Sequence, residues 1–121
     1  MCKNNFASEF VLVLTTESNL KSAEELAKKI LGRQLAACVS LKTIQSYYWW
    51  DGKIQDEEEV QLLIKTNREN MDELLNVLEE LHSYAIPELI LLNARTSRLY
   101  FNWMNSVLKD SSEEPKIIIK D

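Results

Sequence analysis

Apolar and polar positions follow two periodicities along the chain, and the switches between them mark its elements. From Glu9 to Thr16 the run Phe10-Val11-Leu12-Val13-Leu14 is short, continuous and bounded by polar residues, which predicts a strand buried on both faces. Between Asn19 and Leu31, Leu20, Ala23, Leu26, Ala27, Ile30 and Leu31 recur at three- and four-residue steps. This predicts an amphipathic helix, with a capping-box pattern at Ser22 and Glu25 and a stop near Gly32. Leu35 to Trp50 is β-prone, with Leu35, Ala37, Val39 and Leu41 on one parity and Ile44 on the other, so a bulge or bend is expected at Thr43. Asp51-Gly52 is a hairpin-turn dipeptide, and Ile54 to Thr66 returns with Val60, Leu62 and Ile64 alternating. A second helix is predicted over Asn70 to Leu81, with Asn70 and Glu73 placed to cap it, and a fourth strand over Leu89 to Ala94. Tyr100, Trp103, Met104, Val107 and Leu108 form a third helical stripe, and Ile117-Ile118-Ile119, after Pro115, predicts a short edge strand.

The order strand, helix, strand, strand, helix, strand is that of the α+β ferredoxin-like βαββαβ unit, an antiparallel sheet with its helices on one face. Here it carries a long β-hairpin and an extra C-terminal helix. The corresponding organisation is an N-terminal tail over 1–8, one domain over 9–110 and a C-terminal extension over 111–121.

The hairpin is too long for its domain. A strand from Leu35 to Tyr48 extends about 46 Å at ~3.3 Å per residue, whereas a globule of this chain length is roughly 35 Å across. Its tip carries Tyr47, Tyr48, Trp49 and Trp50, which a two-stranded ribbon cannot shield. A homo-oligomer in which each hairpin pairs with a neighbour's sheet edge covers both rings and edges. The alternative is a strand bent at Thr43 that folds its aromatics back onto its own core.

Composition narrows the function classes. The 121 residues carry 14 Lys+Arg against 19 Asp+Glu, a net charge of −5, with no basic run, which argues against nucleic acid and anionic membrane surfaces as partners. The N-terminal apolar run is far too short for a signal-peptide core or a spanning helix, so a cytoplasmic location is expected. Cys2 and Cys38 form no C-x-x-C pair, and a structural disulfide is not expected.

Several ordered segments carry a family resemblance: Leu35-Ala36-Ala37-Cys38-Val39, Tyr48-Trp49-Trp50-Asp51-Gly52-Lys53-Ile54, Glu59-Val60, Ile64-Lys65-Thr66, His82-Ser83-Tyr84, Pro87-Glu88-Leu89 and Tyr100 through Trp103. Over residues 9–108 the chain resembles the CutA family of divalent-cation tolerance proteins. The resemblance implies a homotrimer of ferredoxin-like subunits whose hairpins pair across subunit boundaries, with Tyr47, Tyr48, Trp49, Trp50 and Glu59 at the trimer interface. It also implies binding of copper or another divalent cation, with no cofactor required. Family copper ligands include a Cys in the loop after the first strand and His residues at the end of the second helix. The matching positions here read Thr15 and Leu81-His82.

Among individual residues, Cys38 offers a soft thiolate suited to Cu(I), or else a small buried hydrophobe in its strand. His82, the single histidine, offers an imidazole, or else a cap for the second helix. Consecutive carboxylates Asp56-Glu57-Glu58-Glu59 point to alternate faces and read as a solvated hairpin face. Glu59 shares a parity with Lys65, which suggests a cross-strand or intersubunit ion pair. Lys65, Tyr84, Glu88, Tyr100 and Trp103 are the candidates for an intersubunit cleft, which would hold an anionic metabolite near Lys65 in a sensor reading of the same trimer. The alternative for Tyr100 and Trp103 is core packing. With one His, no G-x-S-x-G, no phosphate-cradling Gly loop and no H-E-x-x-H, binding rather than enzymatic chemistry is expected.

Overall fold

A computed structural model of the chain describes residues 5–110. Its elements are β1 (Phe6–Glu17), α1 (Leu20–Gly32), β2 (Cys38–Trp50), β3 (Lys53–Asn67), α2 (Arg68–Leu81), β4 (Ile90–Ser97) and α3 (Arg98–Val107). The strands form one antiparallel sheet in the order β2-β3-β1-β4, the ferredoxin-like arrangement. β1 therefore has a strand on each side, so its backbone is paired along both edges.

Alternation along β1 builds two cores. Val11 and Val13 face α1 and α2 and pack with Leu26, Ile30, Leu62, Ile64, Leu74 and Leu78. Phe10 and Leu12 point the other way, onto Met104, Leu108, Tyr100 and Phe101. The third helix thus lies on the sheet face opposite α1 and α2, packed on β1 and β4. Leu108 closes α3, and Lys109 ties the chain back by donating its N–H to Gln34 O at 2.8 Å.

Some boundaries differ from the pattern. β1 begins at Phe6 rather than Glu9. β2 begins at Cys38, because the helix exit runs through Gln34 at φ 59° and delivers Leu35 and Ala36 directly into the core. The caps are Asn19, accepting from Ser22 N at 2.8 Å, and Asn67, accepting from Asn70 N at 3.0 Å, not the Ser22/Glu25 and Asn70/Glu73 pairs. The expected edge strand at 116–120 lies outside the described residues.

No bulge occurs at Thr43. The β2–β3 register runs unbroken from Cys38↔Lys65 through Thr43↔Val60 to Trp50↔Lys53, closed by Asp51 and Gly52, both at positive φ. The parity slip at Ile44 has another cause. β1 stops pairing at Glu17↔Val60, so from Ile44↔Glu59 outward the ribbon has no third strand and no core side. This free part projects by roughly 20 Å at ~3.3 Å per residue. Tyr47 is 69% exposed and Trp49 71%, so the aromatics do not fold back onto their own chain.

Candidate functional site

The free ribbon leaves the sheet where β1 ends, and the 82–89 connection crosses that same sheet end. Its first residue, His82, closes α2 by donating its backbone N–H to Leu78 O at 2.9 Å. Its extended backbone turns the imidazole onto β1, on the face that holds α1 and α2. There Nε2 lies 3.1 Å from Thr15 Oγ1, and Tyr84 N–H donates to Nδ1 at 3.0 Å. A backbone amide only donates, so Nδ1 accepts and the proton sits on Nε2. Glu17 Oε2 lies 3.5 Å from Nδ1, a salt bridge only for an imidazolium, and the Tyr84 N–H at that nitrogen speaks against one. Glu17 instead accepts from Ser83 N at 3.3 Å and from the Ser83 hydroxyl. Hydroxyl, imidazole and carboxylate stand in the order of a nucleophilic triad, but the polarity is reversed. Nε2 donates to Thr15 and cannot take its proton, and the Thr15, His82 and Glu17 side chains are shut from solvent.

Beyond His82 the connection reaches round to the base of the ribbon. Tyr84 donates its phenol proton to Oε2 of the buried Glu59 at 2.7 Å. Burial raises the Tyr84 phenol above the ordinary tyrosine range, and the Glu59 hydrogen bond adds to this. Tyr48 donates likewise to Glu57, whose hydrogen bond is the main reason its phenol is pushed up to about 12. Between the ribbon and this connection runs an open groove of about 810 Å³, lined by Tyr48, Trp50, Glu57, Glu59, Tyr84 and Glu88 among others. Its charged lining is wholly acidic.

The candidate residues therefore divide. Tyr84 and Glu88 share the groove with Glu59. Lys65 lies six residues further along β3, about 20 Å from Glu59 at ~3.3 Å per residue, so the two do not pair within one chain. Its Nζ sits 3.8 Å from Cys38 Sγ and 5.9 Å from the centre of the Tyr100 ring, which stacks at 5.3 Å on Trp103. Core packing holds for Tyr100, edge-on to Phe10, but Trp103 is 46% exposed. Cys38 opposite Lys65 opposite Leu12 places the thiol on the α3 face, whereas His82 meets Thr15 on the other face. Within one chain the two cannot share an ion. Among the described residues no three His, Cys, Asp or Glu side chains gather as a metal site. Glu17 and Ser83 were not singled out by the sequence. The available signal was an acid ending an apolar strand.

No described helix is long and apolar enough to cross a membrane. The family model described as CutA1 divalent ion tolerance protein matches residues 11–107. The divalent-cation tolerance protein CutA of Yersinia pestis (strain Pestoides F) is 41% identical over 103 residues, covering 84% of this chain and 87% of that protein. The structure of CutA from Synechococcus elongatus PCC7942 is 39% identical with a TM-score of 0.83, covering 85% of this chain and 93% of that one. The periplasmic divalent cation tolerance protein CutA of Archaeoglobus fulgidus is 30% identical with a TM-score of 0.80, covering 83% and 99%. The match takes in the central strand, the overhanging ribbon and the connection at its base, and with them the chain belongs to the CutA family of divalent-ion tolerance proteins.

Proposed function

We propose that the protein acts in divalent-cation tolerance as a cytoplasmic homotrimer that binds its ligand and performs no chemistry on it. The observation that carries the trimer is the ribbon. It extends beyond its own sheet with Tyr47, Trp49, Trp50 and Ile54 exposed, while the outer edge of β4 leaves Ile90, Leu91 and Leu92 uncovered. Such surfaces are rare on monomers and are natural partners for each other in a closed ring. Binding rather than catalysis is supported by the reversed polarity at Thr15 and His82.

For the ligand, the acidic groove supports a cation, with copper or another divalent ion as the class the family name suggests. An anionic metabolite has less support, because Lys65 stands over Tyr100 and away from the groove. The test is a light-scattering mass at micromolar concentration for the full chain and for a Trp49→Ser, Trp50→Ser double variant. Three chains are expected for the parent and a smaller species for the variant. A parent mass of one chain overturns the proposal.

A further inference from the structure

Residues 15 and 82 are where the family resemblance places metal ligands, and the structure tests whether these side chains fit an ion. A metal takes a nitrogen lone pair, and a ligating histidine usually gives its other N–H to a carboxylate or carbonyl. In His82 neither nitrogen offers a lone pair. Nε2 carries its proton toward Thr15 at 3.1 Å, and the Nδ1 pair is used by Tyr84 N–H at 3.0 Å. An ion at Nδ1 would strip a backbone amide of its acceptor, and one at Nε2 would first have to expel the proton held on Thr15. The neighbouring carboxylate is engaged as well, since Glu17 accepts twice from Ser83. The imidazole has no access to solvent, and the chain's described thiol, Cys38, is on the opposite face of the sheet.

We infer that His82 is a positioning residue and not a metal ligand: its imidazole is a closed strut that fixes the 82–89 connection to β1 and thereby sets Tyr84 against Glu59 in the groove. The strut is continuous. Thr15 holds Nε2, Nδ1 holds the Tyr84 backbone, and the Tyr84 phenol holds Glu59 at 2.7 Å. The divalent ion implied by the family name therefore does not bind at this histidine. The inference rests on the chain's place in the family and not on the trimer, so a monomeric mass would sink the proposed assembly and leave it untouched.

Because His82 is the only histidine, one imidazole reports everything. The experiment is a long-range ¹H–¹⁵N spectrum of the full chain labelled with ¹⁵N-histidine, recorded alone and with one and three equivalents of Zn²⁺ and of Cu⁺ per chain. The expected spectrum shows the Nε2–H tautomer and does not change with either metal. A coordination shift at either nitrogen, or an Nδ1–H tautomer in the parent, overturns the inference. Thr15→Val removes the acceptor while keeping the shape. The proton is then expected to move to Nδ1, facing Glu17, with a shift of the Tyr84 amide. Asn67→Ala, which weakens α2 at its far end, is expected to leave the tautomer in place. Retention of Nε2–H and an unmoved Tyr84 amide in Thr15→Val would refute the positioning role, as would loss of the tautomer in Asn67→Ala.

Discussion

Replacing Tyr84 by Phe deletes one oxygen and tests the link between the 82–89 connection and the ribbon. The lost bond runs from the phenol to the carboxylate of Glu59 at 2.7 Å. Hydrogen bonds to charged groups contribute about 1.5–3 kcal/mol. Tyr84 is only partly buried, so we expect a loss of about 1–2 kcal/mol near neutral pH. Pairing the change with Glu59→Gln in a double-mutant cycle should give a coupling of about 1 kcal/mol. Urea unfolding followed by tryptophan fluorescence, at one fixed protein concentration so that association contributes equally, measures both. The pH dependence gives a second, independent reading. Burial first, then the Glu59 hydrogen bond, raises the folded-state pKa of Tyr84 above its unfolded value near 10. A raised value means that the contribution is complete below about pH 10 and is lost as pH climbs from there toward the folded-state value, by up to about 1.4 kcal/mol per unit. The parent should therefore lose stability more steeply above pH 10 than Tyr84→Phe. Parallel slopes together with a coupling near zero would show that the phenol is held by packing alone.

Three further outcomes follow from single sites. Asn67→Ala removes the α2 cap and the Nδ2 bond to Asn105 Oδ1 at 2.9 Å, and its urea midpoint should fall by the equivalent of about 1–2 kcal/mol. Leu74→Ala, at a position with no solvent exposure between α2 and the sheet, should cost about 2–5 kcal/mol in the same assay. Gly52→Ala meets no neighbour within 4 Å, so its cost comes only from φ +72° and should be about 1 kcal/mol in thermal unfolding.

Much of the fold was legible because period and parity are local quantities. Val11 and Val13, Leu26 and Ile30, and Asp51-Gly52 each announce their element, and the excess length of the ribbon follows from counting residues. What was hidden depends on which strand lies beside which. Ile44 breaks the parity of Leu35 to Leu41 because the third strand stops opposite Thr43, and a parity pattern carries no mark of where a neighbouring strand ends. The position of α3 on the reverse face needed the parity of Phe10 and Leu12 to be assigned to a core of their own. At the site, shared parity put Glu59 and Lys65 on one face but said nothing about the length of strand between them. His82 as a candidate ligand was visible by residue type alone, and its unavailability is a matter of which donors reach it. Glu17 and Ser83 become meaningful only once the end of α2 is brought against the end of β1.

The central place of β1 also constrains the order in which the molecule can be made. Both of its hydrogen-bonding neighbours, β3 and β4, follow it in the chain, and β2 does not pair with it. During vectorial synthesis the segment Phe10–Leu14 leaves the ribosome with no strand to pair with until Leu63–Asn67 has also emerged. At ~5–20 residues per second that interval is roughly 3–10 s. For that time α1 is the only helix available to cover the Val11 and Val13 face, while Phe10 and Leu12 wait for α3, and it is then that a holding chaperone would find its target.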